Sequence, residues 1–261
     1  MYATERHDAI QRILQDEGRL AVVDLAQRFD VTTETVRRDL AELERRGALT
    51  RVHGGAVAAE RSSIRETAIA ERVLEHSAAK RAIARRAVEV LGAGFSGSVF
   101  FDAGSTTAAV AGALPDHLRQ GSGDARVVTH SLTLAPTLAD AFGVDLSVVG
   151  GHIRGVTAAA VGAATVATIA GLRPDVAFVG TNGLSAGFGL STPDPEEAAV
   201  KSAIVDAGRR VVVVCDSSKF GRELLVGFAP LSAIDVLVTD APPSGALAAA
   251  LADAGVEVLV A

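Results

Sequence analysis

Val31-Thr-Thr-Glu-Thr-Val-Arg-Arg-Asp-Leu40-Ala-Glu-Leu-Glu-Arg-Arg46 carries the clearest structural pattern of the N-terminal part. Thr32 can cap a helix running from Thr33 to about Arg46, and Gly47 follows as a stop. On a wheel at about 100° per residue, Val36, Leu40 and Leu43 fall together. Glu34, Arg38, Ala41 and Arg45 lie opposite them, flanked by Thr33 and Arg37. Such a helix packs on one side and leaves the other side free.

Upstream, Ile10, Ile13 and Leu14 give Thr4–Glu17 a helical period, ended at Gly18. Leu20–Val22 is short and apolar, and Leu25, Ala26 and Phe29 mark a second, short helix. Asp30-Val31 makes the turn. Two helices joined by a short turn, the second capped and rich in arginine, form the helix-turn-helix pattern. Downstream, two extended runs around Gly54-Gly55 predict a hairpin, which adds a wing. Helix residues Thr32, Thr33, Glu34, Thr35, Arg37 and Arg38, with Arg51 and His53 on the wing, are the candidate DNA contacts. Arginine can grip guanine with two bonds and glutamate can accept from cytosine. Thr32, Thr35 and the helix N-terminus suit phosphate oxygens. A charge run alone is no more than a solvated face.

Charge sharpens this expectation. Through Ala58, nine arginines face ten acidic residues, and the whole chain of 261 residues carries −6. DNA binding here cannot be a bulk-charge effect, so the arginines must be aimed. Cys215 is the lone cysteine, which excludes an intramolecular disulfide. Glu5-Arg6-His7-Asp8 is no signal peptide, and no apolar run reaches the roughly 18 residues of a membrane span. The expectation is a cytoplasmic chain with no membrane partner. His117 and His152 have no evident metal partners, so no metal, cofactor or catalytic residue is assigned.

The expected domains are 1–58 for the winged helix-turn-helix, 59–77 for a linker and 78–261 for a second domain. Ile64–His76 reads as a linker helix or an arm packed on that domain. Ala78–Leu91 is a helix. Beyond it, strands at Ser98–Asp102, Arg126–Thr129, Asp145–Val149, Val176–Gly180, Arg210–Cys215, Asp235–Thr239 and Glu257–Val260 alternate with helices near Thr106–Leu114, Thr133–Ala141, Gly162–Leu172, Pro195–Ala207 and Ser244–Ala254. That alternation predicts an α/β domain with a largely parallel sheet. Ligands on such sheets sit beyond the strand carboxyl ends.

The loops there carry suitable chemistry. Asp102-Ala-Gly-Ser-Thr-Thr107 offers hydroxyls at a helix N-terminus, a phosphate cradle without a Walker lysine. Thr129-His-Ser131, Gly150-Gly151, Thr181-Asn-Gly183 and Asp216-Ser-Ser-Lys219 end other strands. Glu197 and Lys201 share one helix face. Singly, these are caps, tight turns and a surface ion pair. Together, hydroxyls, Asn, Lys and carboxylates suit a phosphorylated polyol.

Val31-Thr-Thr-Glu-Thr-Val-Arg-Arg-Asp-Leu40 followed by Arg51-Val-His-Gly-Gly-Ala56 resembles the DNA-binding domain of the DeoR family of bacterial repressors. Val22 departs from the Ser or Thr that many relatives have there. The second half resembles the DeoR sensor domain, itself similar in fold to ribose-5-phosphate isomerase and coenzyme A transferases. The resemblance implies an effector pocket at Asp102, Gly104, Ser105, Thr106, Thr107, Ser131, Gly151, Arg154, Asn182, Glu197, Lys201 and Lys219. His130 departs from the Asn common at its place. Leu190–Ser202 most resembles actinobacterial regulators of fructose and phosphotransferase-sugar uptake. The resemblance thus implies a repressor that binds operator DNA as a dimer or tetramer and responds to a sugar phosphate, fructose 1-phosphate or a related hexose phosphate leading. The competing reading is a sugar-phosphate isomerase with Glu197 or Asp102 as base. The chain lacks the Lys-Gly-Gly-rich phosphate loop such enzymes tend to carry.

Overall fold

A computed structural model describes the chain except for residues 1, 2, 18, 46, 47, 53, 59–62, 64 and 65. The stops expected at Gly18 and Gly47, the helix end at Arg46 and the wing residue His53 therefore lie outside the described residues. The chain divides into two compact units, Met1–Ser62 and Ser63–Ala261.

The first unit runs α1 (Ala3–Glu17), β1 (Arg19–Ala21), α2 (Val22–Phe29), α3 (Thr33–Arg45), β2 (Leu49–Val52) and β3 (Gly55–Ala58). The three strands form one antiparallel sheet in the order β1-β3-β2. The short apolar run at Leu20 is thus the wing's third strand. Thr32 caps α3: its Oγ1 accepts from the Thr35 N–H at 3.2 Å. Val36, Leu40 and Leu43 are buried against Ile10, Leu14 and Leu25. Ala21 precedes α2 without capping it through a side chain. Instead the Val22 N–H donates to the Gly54 carbonyl at 2.9 Å. Gly54 sits at φ +80°, and a Cβ on Gly55 would stand 1.9 Å from the Leu20 carbonyl oxygen. The glycine pair therefore brings the wing turn close enough to satisfy the start of α2.

One residue of α3 escapes the apolar-or-exposed division. Asp39 is only 6% exposed. Its carboxylate accepts from Arg6 Nε at 2.6 Å and Nη2 at 3.1 Å, and meets His7 Nε2 at 2.9 Å. Burial pushes the Asp39 carboxyl up, but the hydrogen bonds from Arg6 and His7 outweigh it and hold it below the usual value. This cluster ties α1 to α3.

The second unit opens with α4 (Ile69–Leu74) and α5 (Ser77–Val88). It continues β4 (Ser96–Phe101), α6 (Ser105–Gly121), β5 (Asp124–Thr129), α7 (Ala135–Leu138), β6 (Val144–Val148), β7 (His152–Arg154), β8 (Ala159–Val161), α8 (Ala163–Ala170), β9 (Val176–Gly180), β10 (Gly183–Ser185), β11 (Gly189–Thr192), α9 (Pro195–Ala207), β12 (Val211–Val214), β13 (Val226–Ala229), β14 (Val236–Thr239), α10 (Gly245–Asp253) and β15 (Glu257–Val260). Seven parallel strands form the central sheet in the order β15-β14-β12-β9-β4-β5-β6. All seven strands expected from sequence are in it. One apolar layer joins the sheet to α5, α6 and α7, the other to α8, α9 and α10. Among the described residues, no helix is long and apolar enough to cross a membrane.

The helix expected at Thr133–Ala141 is shorter. The Leu132 N–H donates to the Ala158 carbonyl and Ser131 bridges Ala159, so the chain is drawn toward β8 and α7 starts only at Ala135. Sequence reading also missed the β7–β8 hairpin and the antiparallel sheet β10-β11-β13. Strand order reverses between β4 and β9, which places a crevice beyond the ends of those two strands.

Removing one partner of a buried ion pair typically costs about 3–5 kcal/mol. Asp39→Ala should destabilise the first unit by that order, read as faster amide exchange in α1 and α3 of the full chain. Because the Asp39 value is lowered, its contribution is full above the unfolded carboxylate value of about 3.9 and is lost as pH falls through the folded value. Acid titration should loosen the first unit of the native chain more steeply than that of Asp39→Asn.

Candidate functional site

Asp102 immediately follows β4, at the crevice. It is fully buried. Its N–H donates to the Phe178 carbonyl at 3.0 Å, holding it against β9. One carboxylate oxygen, Oδ2, accepts from the Gly180 N–H at 2.9 Å and from Lys201 Nζ on α9. Lys201 also donates to the Gly180 carbonyl at 3.0 Å. The other oxygen, Oδ1, lies 3.1 Å from His130 Nε2. His130 Nδ1 sits 2.8 Å from the Ala160 carbonyl, which can only accept, so Nδ1 carries a proton. Burial pushes the Asp102 carboxyl up, yet the Lys201 charge and His130 outweigh it and hold it below the usual carboxylate value.

This buried floor supports a pocket. The helix α6 begins at Ser105, its first-turn N–H groups free of intrahelical partners. Ser105 is partly exposed, while Thr106 and Thr107 are buried. The Thr107 hydroxyl is committed to the Gly104 carbonyl at 3.0 Å. Around this helix start the pocket is lined by Gly104, Ser105, Thr106, Thr107, Asn182, Glu197, Lys201 and Lys219 of the sequence-predicted set. Asn182 is set by Thr192, whose hydroxyl donates to its Oδ1 at 3.1 Å.

Three predicted pocket residues stand elsewhere. Ser131 is buried, its hydroxyl paired with Thr133 at 2.9 Å. Gly151 serves packing: a Cβ there would come within 2.0 Å of Thr165 Oγ1. Arg154 is engaged by carboxylates, with Glu66 at 2.5 Å and Asp194 and Glu197 each at 3.2 Å. Of these, Glu197 alone reaches the pocket.

The pocket also contains Arg72, Glu75 and Lys80, which sequence reading left out, and Asp216, which it named as a loop residue but not as a pocket residue. Lys80 Nζ donates to the Glu75 carbonyl at 2.7 Å and to the Arg72 carbonyl. Burial pulls Lys80 and Lys219 below the ordinary lysine value, against the attraction of Asp216. A signal for them existed. The chain has three lysines, Lys80, Lys201 and Lys219, and every other strong base is arginine. All three lysines line this one pocket. A compact ammonium on a flexible stem suits a phosphate as a point charge. With Arg72 they oppose Glu75, Glu197 and Asp216, so the pocket is polar and mixed in sign. Among the described residues, no cluster of His, Cys, Asp and Glu could hold a metal ion.

In the first unit, Glu34, Arg37 and Arg38 are exposed on α3, Thr32 is exposed and Thr33 and Thr35 are partly so. Arg37 stands 3.6 Å from Glu34, both largely exposed. On the wing, the Arg51 N–H donates to Glu44 Oε1 at 2.9 Å and its guanidinium stays half-exposed. Arg38 makes no ion pair with the described residues.

Comparison with known proteins bears on both units. Residues 6–62 match the DeoR-like helix-turn-helix domain, and residues 75–241 match the DeoR C terminal sensor domain. The glycerol-3-phosphate regulon repressor of Escherichia coli (strain K12) is 34% identical over 97% of each chain. The HTH-type transcriptional regulator GlpR of Haloferax volcanii is 38% identical over 92% of this chain and 91% of its own. The transcriptional regulator FruR of Bacillus subtilis is 31% identical over 92% of both. Among solved structures, ribose 5-phosphate isomerase A from Methanocaldococcus jannaschii is 16% identical over 56% of this chain and 55% of its own, at a TM-score of 0.41, an overlap too loose to bear on function. With a matched helix-turn-helix domain followed by a matched sensor domain, this chain belongs to the DeoR family.

Proposed function

We propose that this chain is a transcription repressor of sugar uptake or metabolism genes, controlled by a phosphorylated sugar in the pocket at the end of β4. The observation that carries the reading is the convergence of the start of α6 with all three lysines of the chain. Unpaired N–H groups, a helix dipole and the ammonium groups of Lys80 and Lys219 together favour a phosphoryl group, with Lys201 committed to Asp102. Thr181, Asn182 and the carboxylates beside them suit a sugar's hydroxyls. Fructose 1-phosphate or a related hexose phosphate leads, on the resemblance of Leu190–Ser202 to actinobacterial fructose regulators. The names of the relatives add glycerol 3-phosphate to the ligands worth testing.

DNA reading falls to the exposed face of α3. Arg38 and Arg37 are aimed away from the packed side, and the wing carries Arg51. Two copies reading half-sites is the arrangement such modules use, so a dimer or tetramer on operator DNA follows, working in the cytoplasm where that DNA is. The isomerase alternative is disfavoured by the site itself. A general base works best with a value near the operating pH, whereas Asp102 is held low by Lys201 and His130. Glu197 is engaged by Arg154 at 3.2 Å.

Arg38→Ala should abolish operator binding in a mobility-shift assay while the fold stays intact; unchanged specific binding refutes the groove assignment. For the pocket, Ser105→Ala should weaken a sugar phosphate's thermal stabilisation of the chain. Loss of one hydrogen bond to a charged group corresponds to about tenfold or more in affinity. Lys201 tests something else, because it neutralises a buried carboxylate. Asp102→Asn and Lys201→Met should each cost about 3–5 kcal/mol in denaturant unfolding. The double variant should cost clearly less than the two added together.

A further inference from the structure

The pocket's free space is about 40 Å³. That holds about three waters at roughly 10–15 Å³ each, against roughly 300–1,000 Å³ for typical small-molecule sites. A sugar phosphate cannot enter it as it stands. One wall is not part of the sheet or its covering helices. Arg72 and Glu75 belong to the opening segment of the second unit.

That segment is fastened at both ends. Near its start, Glu66 is nearly buried and pairs with Arg154 at 2.5 Å and with Arg72 at 3.7 Å. In the middle, the Ile69 N–H donates to the Val156 carbonyl at 2.8 Å. At its end, Lys80 holds the carbonyls of Arg72 and Glu75. The fastening is strained in one respect. Glu66 Oε1 and Arg72 Nε are buried without a hydrogen-bond partner. Buried polar groups left so cost about 1–3 kcal/mol each. Burial and the nearby Glu197 push the Glu66 carboxyl above the usual value. Val73 and Leu74 on the same segment remain exposed, at 48% and 78%, so its apolar anchoring falls to Ile69.

We infer that the segment Glu66–Glu75 is a gate over the pocket, latched by the Glu66–Arg154 ion pair, and that its Arg72 is a ligand for the anion the pocket receives. The inference rests on the sugar-phosphate reading for the identity of that anion, but the latch does not. Entry requires the segment to lift. A phosphoryl group seated near Ser105 then offers Arg72 a partner with more acceptor oxygens than Glu66 supplies, in a bidentate geometry an arginine favours. Arg72 leaves Glu66, and the segment settles in a new position. The ligand acts by preferring one position over the other.

The test uses the full chain with Glu66→Gln and Arg72→Ala. Without added ligand, Glu66→Gln should raise amide exchange at Ile69 and through residues 70–75 by about tenfold, because the latch sets the local opening equilibrium. In calorimetric titration with fructose 1-phosphate, glycerol 3-phosphate and inorganic phosphate, the same variant should bind at least one of them several-fold tighter than the native chain. A rarely populated competent state weakens apparent affinity by its fraction. Arg72→Ala should bind that compound about tenfold or more weaker. Opposite signs support a gate that carries a ligand residue. Weaker binding in both variants makes the segment a mere wall and overturns the inference. Unchanged exchange in Glu66→Gln overturns the latch whatever binds. If neither the native chain nor Glu66→Gln binds any of the three compounds, the proposed ligand class falls, and the exchange comparison alone decides the latch.

Discussion

The buried pair between Asp102 and Lys201 is the interaction on which the second unit's site depends. A carboxylate with no exposure survives only with its charge compensated and its lone pairs filled. Here the compensation comes from parts of the chain far apart in sequence: α9 supplies Lys201 and β9 supplies the Gly180 N–H, while His130 of the loop after β5 lies 3.1 Å away and accepts the Ala103 N–H next along the chain. These contacts fix the register of three elements at the point where strand order reverses. Helix α6 begins three residues beyond Asp102, so the same contacts fix where its N-terminus points. Lys201 is largely neutralised in the process. The cations left to attract a ligand are Lys219, Lys80 and Arg72, two of which come from the region before β4.

The first unit uses the same device in miniature. Asp39, held by Arg6 and His7, sets the angle at which α3 leaves α1 and so the face that α3 presents. In the proposed reading, recognition then rests on aim rather than on charge. Acidic residues beside the arginines, Glu34 near Arg37 and Glu44 near Arg51, leave the unit close to neutral. Phosphate attraction common to all DNA is thereby reduced, and the specific contacts carry a larger share of the binding.

The central sheet was readable because its strands are buried on both faces. Runs such as Val211–Val214 and residues 236–238 are continuously apolar, the mark of a parallel sheet. The sheet β10-β11-β13 was not readable. Its strands have three or four residues, begin with glycine in two cases, and β13 reaches β11 from beyond α9 and β12. No local pattern encodes that pairing. In the site, the rule that ligands sit past strand ends marked a ring of loops without saying which sector of the ring is open. Ser131, Gly151 and Arg154 lie on that ring, but packing and ion pairs claim them. Asp39 hid in plain view: on the wheel it falls among Val36, Leu40 and Leu43, a place where an acid needs a buried partner. The three lysines carried the strongest unread signal, because a chain that uses arginine everywhere else places every lysine at one pocket.

A repressor of the proposed kind requires that the pocket and the DNA-reading helix be coupled. Linkage makes this measurable from both sides, since a ligand that changes DNA affinity by some factor must have its own affinity changed by the same factor. The decisive measurement is fluorescence anisotropy of the full chain on a duplex selected by that chain from random sequences, with and without saturating fructose 1-phosphate or glycerol 3-phosphate, paired with titration of the same sugar phosphate in the presence and absence of that duplex. Coupling requires a shift of about 5–150-fold, equal in both directions. A sugar phosphate that binds the chain yet leaves its DNA affinity unchanged would contradict it.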